Sequence, residues 1–245
     1  MSNIPERSTP QSVGTLRQVA LLHGLSAAEK AKIERRVQYV TVPAKTTLMA
    51  PDEDCQAVSI ILQGTVKVLT GSPGDGGILL ALCGRGEILG EINAFDGQGH
   101  SATVVTVEPT LLARFDQQVF MELVRAMPLL LENLTRLIIR RLRFCTSRAH
   151  ILATGDTKSR LARLLLALAD QYDPGHDSSH TQSQSGEPFE IPLRLTQGDL
   201  ADMIGTARPY LHDVLHVLTQ QQAIALNPDH RITILQRDML LRHCR

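Results

Sequence analysis

The sequence predicts an α+β protein of two domains: a β-rich N-terminal part, a long helix, and a C-terminal part built on a helix-turn-helix with a hairpin after it. Three observations predict this. Between Val40 and Phe115, short apolar segments recur between turn residues, the spacing of a sandwich or barrel. From Asp116 onward the apolar period changes to three and four, and it holds as far as Leu152. Residues 196–234 read as short helix, glycine, second helix and hairpin. The 245 residues are enough for two cores of ordinary size.

Composition narrows the class. Apolar residues are 43% and charged residues 20%, as in a soluble globular chain, and 25 Lys plus Arg balance 25 Asp plus Glu. Zero net charge neither requires nor excludes nucleic acid, because binding depends on a local patch. No apolar run approaches the roughly 18 residues that span a bilayer, and the start MSNIPERSTPQS lacks the apolar core of a signal peptide. The expectation is a cytoplasmic protein with no membrane partner. Cys55, Cys83, Cys145 and Cys244 are too scattered for a zinc or iron–sulfur site, so they read as buried or incidental thiols and no metal is expected.

In chain order, residues 1–14 are polar and read as a flexible terminus. Residues 15–126 form the first domain. Within it 16–39 reads as helical, with Ser26 and Glu29 as a capping box. Strands then follow, with apolar alternation at 59–62 and 65–69 and turns at Gln63-Gly64 and 71–76; 102–115 continues them. Residues 127–153 form a long helix with Pro128 in its first turn. Met127, Leu131, Leu134, Ile138, Leu142 and Cys145, then Ala149 and Leu152, make a seam long enough for a two-stranded coiled coil. A helix packed on its own domain is the plainer alternative. The same helix carries Arg136, Arg140, Arg141, Arg143 and Arg148, either a solvated face or a cluster for an anion.

Thr154-Gly155-Asp156 reads as a hinge opening the second domain, 154–245. Residues 157–172 are amphipathic, with Leu161, Leu164, Leu165 and Leu168 on one side; 173–188 is a polar loop whose His176 and His180 are too sparse for a metal; 190–195 reads as a strand. Thr196 to Asp199 is a helix cap, Gly205 the turn, Thr206 the next cap, and Leu211, Val214, Leu215 and Leu218 the inner face of a second helix. Residues 225–234 are a hairpin wing.

The stretch GRGEILGEINAFDGQGHS, 84–101, is the chemical centre of the first domain. Gly86 and Gly90 can take backbone angles that other residues avoid, leaving N–H groups to converge on an anion, while Glu87 and Glu91 can accept from a ribose hydroxyl or hold the loop's own N–H groups. A Gly-rich turn with no ligand would use the same residues.

Gly86-Glu87-Ile88-Leu89-Gly90-Glu91 followed by His100-Ser101-Ala102 resembles the nucleotide cassette G-E-[LI]-x-G-E…R-[ST]-A of the catabolite-activator/fumarate-regulator (CRP/FNR) family of bacterial transcription regulators. The resemblance implies a cyclic-nucleotide-binding jelly roll, a dimerisation helix and a winged helix-turn-helix. It also implies ligand-binding roles for Gly90, Glu91, His100 and Ser101. In cyclic-AMP-binding relatives an Arg stands where His100 stands here, and imidazole cannot reproduce its bidentate contact. The helix position that reads adenine is Cys145, with Thr146 next, and Arg140 stands nearby. Arginines stack on purines and fork onto phosphates, so the expected effector is a cyclic nucleotide other than ordinary cyclic AMP, with cyclic di-GMP a candidate. No covalent or metal cofactor is implied, and the clustered N-terminal cysteines of oxygen-sensing relatives are missing.

For DNA the expected residues are Thr196, Arg208, Tyr210, His212 and Arg231, with Arg208 placed for a guanine. Pro209 and Asp213 replace the family's base-reading Glu and second Arg, leaving a weak electrostatic footprint that Arg231, Arg237 and Arg242 would offset. Two functions follow as expectations. One is a homodimeric regulator of double-stranded DNA; the other is a nucleotide receptor acting through contact with another transcription regulator. No Ser/His/Asp spacing, metal motif or Walker loop points to an enzyme.

Overall fold

The computed structural model describes residues 16–51, 56–71, 77–153, 155–172 and 187–244, and the chain divides into two compact units between Ile139 and Arg140. The expectations for the N-terminal 1–14, for most of the turn at 71–76, for Cys55, for Thr154 and for nearly all of the loop at 173–188 lie outside the described residues.

The first unit carries eight strands: β1 Gln38–Val42, β2 Thr47–Met49, β3 Ala57–Gln63, β4 Val66–Leu69, β5 Leu79–Cys83, β6 Ile88–Leu89, β7 Thr103–Thr106 and β8 Thr110–Asp116. They form two antiparallel sheets, β1-β8-β3-β6 and β2-β7-β4-β5, the strand order of a jelly roll. Val40, Met49, Ile61, Val66, Leu89, Val104 and Leu112 fill the space between the sheets.

The outer face of the first sheet is covered by helices: a 3-10 turn Ala20–Leu22, α1 Ala27–Glu34, and, after the short α2 Glu91–Asp96, α3 Gln117–Ala126 and the start of α4 Pro128–Ala153. Val58, Ile60 and Leu62 face this second core while Ile61 faces the first. So β3 is buried on both faces from Ala57 to Leu62, with Ser59 the one polar residue among them, rather than alternating in burial as expected at 59–62. Residues 16–39 are likewise only partly helical. Ser26 does cap α1 in a reciprocal box with Glu29, but the chain turns extended at Gln38, so Tyr39 belongs to β1. Asp116 caps α3 through Gln118 N (2.9 Å) and Val119 N (3.2 Å), and Met127 is extended, separating α3 from α4.

Two stripes run along α4. Leu130, Leu134, Phe144 and Ile151 are buried, whereas Leu131, Ile138, Leu142 and Leu152 are exposed, with Leu142 64% accessible. The seam read from sequence is corrected accordingly: Met127 and Leu134 belong to the core of the first unit, and the exposed stripe is Leu131, Thr135, Ile138, Leu142, Cys145, Ala149 and Leu152. The buried Asn133 pins the start of the helix, donating from Nδ2 to Leu21 O (3.0 Å) and His23 O (2.8 Å).

The second unit contains the end of α4, then α5 Thr157–Tyr172, β9 Phe189–Ile191, α6 Gln197–Ile204, α7 Arg208–Gln220, β10 Ile224–Leu226, β11 Ile232–Ile234 and α8 Arg237–Arg242. Leu161, Leu164, Leu165 and Leu168 are all fully buried, as their spacing requires. The wing gains a third strand, because β9 pairs with β11 in the order β10-β11-β9. The strand expected over 190–195 ends at Ile191; Leu193 and Leu195 are buried without it, and Leu195 N donates to His230 O at 2.8 Å.

Candidate functional site

The cassette is held by β3. Gly86 N donates to Ile61 O (2.8 Å) and Ile61 N to Glu87 O (2.9 Å), and Ile88 and Leu89 then pair with Ile60 and Ser59. Gly90, at φ +82, turns the chain into α2, and a Cβ there would lie 2.4 Å from Ala57 O. Only glycine fits. Gly97, also left-handed, ends α2, and two side chains close the loop behind it: Asp96 accepts from Gln98 N (3.0 Å) and Asn93 from Gly99 N (2.8 Å).

Several amides expected to converge on an anion are therefore engaged in holding the loop, that of Gly86 among them. Glu91 is buried, His100 half-buried and Ser101 exposed, so the four expected cassette residues sit at the two ends of one excursion between β6 and β7. An imidazole at His100 offers single-point hydrogen bonds where a guanidinium offers a fork. The contributions of Asn93 and Asp96 had no signal in the sequence beyond their suitability for turns.

On α4, Cys145 and Thr146 are exposed, and Thr146 Oγ1 donates to Leu142 O at 3.0 Å. Arg140 lies on another face of the helix, where with Arg143, Phe144 and Ser147 it lines a groove of about 280 Å³ against Asp170 and Gln171 of α5. Cys83 is buried and Cys244 half-buried. Among the described residues no three His, Cys, Asp or Glu cluster as metal ligands, and no helix is long and apolar enough to cross a membrane.

The helix-turn-helix is built as its sequence suggests, with two differences. Thr196 caps α6 in a reciprocal box with Asp199: Thr196 Oγ1 donates to Asp199 Oδ2 (2.6 Å) and accepts from Asp199 N (3.2 Å). Its hydroxyl, expected at DNA, is thus committed to the cap. Gly205 ends α6 in the left-handed region at φ +64. The cap of α7 is Ala207, with no side-chain bond, rather than Thr206, whose hydroxyl lies 3.4 Å from that of Thr157.

Leu211, Leu215 and Leu218 face inward, while Arg208, Tyr210, His212 and Asp213 are exposed on the first turns of α7, Tyr210 to 67%. The Arg208 guanidinium lies over Gly198 of α6, where a Cβ would be 2.9 Å from Nη2.

The cations meant to offset Asp213 are largely spoken for. Arg231 pairs with Asp229 in the wing, holding that carboxyl below its usual range, and Arg237 pairs with Asp170. Arg242 is exposed.

Sequence reasoning missed how the reading motif is tied down. Arg148 of α4 donates from Nε to Met203 O (3.3 Å) and Arg160 of α5 from Nη1 to Ile204 O (3.4 Å), closing the carbonyl end of α6. Leu152 lies against Gly205, 3.1 Å from where a Cβ would stand. Burial pushes the Arg148 guanidinium below its ordinary value.

A model for the cyclic nucleotide-binding domain matches residues 39–127, and one for the Crp-like helix-turn-helix domain matches residues 159–243. The cyclic AMP receptor protein of Thermus thermophilus is 29% identical over 208 residues, 85% of this chain and 89% of that one. Two solved structures share the fold. FixK2 from Bradyrhizobium japonicum has 14% identity and a TM-score of 0.67 over 85% of this chain and 98% of its own. The c-di-GMP responsive global regulator CLP of Xanthomonas campestris has 21% identity and a TM-score of 0.61 over 86% of this chain and 99% of its own. With a jelly roll carrying the cassette in one unit and a winged helix-turn-helix in the other, each matched by its own model, the chain belongs to the CRP/FNR family of transcription regulators.

Proposed function

We propose that this protein is a homodimeric, cytoplasmic regulator that binds two-fold-symmetric double-stranded DNA and responds to a cyclic nucleotide other than ordinary cyclic AMP. The observation that carries the reading is the intact frame of the helix-turn-helix, with Arg208, Tyr210 and His212 exposed on the first turns of α7. The exposed stripe of α4 supports a dimer, since its residues repeat at four and three, the spacing of a two-stranded seam. For the effector, Gly90, Glu91, His100 and Ser101 are the cassette's ligand residues and Arg140, Cys145 and Thr146 those of the helix. His100 in place of Arg argues against the usual cyclic-AMP contact. Cyclic di-GMP is the candidate, because CLP, which shares the fold, is described as responsive to it.

A second reading is favoured by one observation: Asp213 is exposed on the reading face while Arg231 and Arg237 are engaged with carboxylates. On that reading the chain receives a nucleotide and acts through another regulator, with weak DNA binding of its own.

One selection experiment decides between them. Purified protein is incubated with a randomised duplex pool and the retained DNA sequenced. A palindromic motif is expected, with Arg208→Ala weakening retention about 5- to 150-fold and Leu142→Glu giving a monomer by sedimentation that retains neither half-site pair. A motif retained equally by Arg208→Ala would refute the role of α7, and a wild-type chain that enriches nothing would establish the second reading.

A further inference from the structure

The groove between α4 and α5 takes Arg140 from the effector residues proposed above but none of the cassette, Cys145, Thr146 or the DNA-reading face, and its chemistry is specific. Arg140 and Arg143 stand one turn apart on one face of α4, where residues three apart are neighbours. Among the described residues neither has an ion-pair or hydrogen-bond partner in the chain. Phe144, 8% exposed, and Ala167 provide the apolar lining, with Ser147, Gln171 and Asp170 as the remaining polar groups. Asp170 is paired with Arg237. Two unengaged guanidiniums call for an anion, and guanidinium geometry favours phosphate or carboxylate bound through two oxygens. An aromatic side chain beside them suits a flat ring. The carboxylate opposite can only accept hydrogen bonds, so the ring must present donors.

We infer that this groove is a guanine-nucleotide site, with phosphate at Arg140 and Arg143, the base against Phe144, and the N–H edge of the base at Asp170. Guanine carries an N1–H and an N2–H2 side by side, matching the two oxygens of a carboxylate, whereas the corresponding edge of adenine alternates acceptor and donor. The volume, about 280 Å³, sits at the small end of ligand pockets and admits one nucleotide unit. A cyclic dinucleotide would place one guanylate in the groove and leave the other outside it. The assignment deepens the effector reading above by giving the guanine nucleotide a site of its own in the second unit.

The test uses the full chain. Calorimetric titrations with GMP, cyclic di-GMP and cyclic AMP are run on the wild type, on Arg143→Ala and on Asp170→Asn, with circular dichroism to verify folding. The same ligands are then mapped by hydrogen–deuterium exchange. A guanine nucleotide is expected to bind at least tenfold more tightly than cyclic AMP. Arg143→Ala is expected to weaken it at least tenfold, Asp170→Asn to abolish the preference for guanine over adenine, and protection to fall on 140–147 and 167–171. The two guanine ligands separate the sources: tighter cyclic di-GMP indicates the second messenger, and equal affinity indicates recognition of a single guanylate. Unchanged affinity in Arg143→Ala, protection confined to 84–101, or no guanine-nucleotide binding at millimolar concentration would each overturn the assignment. Arg143 is exposed and has no partner to lose, so its substitution tests binding rather than folding. If the same preparation selects a palindrome through Arg208 and binds no guanine nucleotide, the groove assignment fails while the regulator reading stands.

Discussion

Gly86 and Gly90 offer a controlled comparison, because they share a backbone conformation and differ in surroundings. Both sit in the left-handed region, at φ +87 and +82. Alanine there costs about 1–2 kcal/mol of backbone strain at either position. At Gly86 nothing lies within 4 Å of the added methyl, so strain is the whole effect. At Gly90 the methyl would stand 2.4 Å from the carbonyl oxygen of Ala57. That oxygen belongs to the backbone of β3, which is paired with β8 through Ala57 and Asp116, so it cannot retreat without disturbing the central ladder. Overpacking of this kind adds about 1–3 kcal/mol.

Gly86→Ala is therefore expected to destabilise the first unit by about 1–2 kcal/mol and Gly90→Ala by about 2–5 kcal/mol. In thermal unfolding the difference corresponds to roughly 2–12 °C. Denaturant titration followed by intrinsic Tyr emission and circular dichroism measures it, with m unchanged as the condition for comparing midpoints. Equal destabilisation by the two substitutions would show that the Ala57 carbonyl does not constrain the cassette turn.

Two further outcomes follow from buried polar groups. Arg148→Met removes one charge-assisted bond to the carbonyl end of α6, about 1.5–3 kcal/mol in isolation, but also relieves the cost of a half-buried cation. The net loss expected is about 1 kcal/mol, with faster hydrogen exchange at 203–206 and weaker duplex binding; unchanged exchange there would exclude a positioning role. Tyr39 has a buried hydroxyl with no hydrogen-bond partner among the described residues, and burial, with Glu34 nearby, pushes its pKa up to about 12. A phenol with a raised folded-state value contributes stability that is complete below the unfolded value of about 10 and is lost as pH rises toward 12. Tyr39→Phe is expected to stabilise the chain by about 1 kcal/mol at neutral pH and to flatten the fall in stability across that alkaline window; a less stable variant would mean the hydroxyl is satisfied in solution.

What could be read from the sequence was what neighbouring residues decide. Ser26 with Glu29 and Thr196 with Asp199 cap helices because the partners are three residues apart, and Gly90 announces a turn because glycine takes the left-handed region without the strain a Cβ brings. What could not be read depends on partners far along the chain. The double burial of β3 exists only because helices cover one face and the second sheet the other. The neutralisation of Arg237 depends on Asp170, 67 residues away, and the cap that Arg148 places on α6 spans 55 residues. Local charge counting therefore overstated the cations available to DNA.

The two stripes of α4 explain why the helix is so long. Leu130, Leu134, Leu137, Arg141, Phe144, Arg148 and Ile151 follow one another at four and three on the inward face. Leu131, Thr135, Ile138, Leu142, Cys145, Ala149 and Leu152 do so one residue later on the exposed face. A helix serving only its own chain needs the inner stripe alone. The outer one, apolar at five of its seven positions besides Thr135 and Cys145, is exposed at all seven. A strict seven-residue repeat drifts about 20° per heptad on a straight helix, and supercoiling around a second copy removes the drift. The outer stripe ends at Leu152, whose side chain rests on Gly205 at the turn between α6 and α7. One residue thus belongs both to the proposed dimer seam and to the packing of the reading motif. A change in the pitch of the seam would act on the turn that sets the direction of α7.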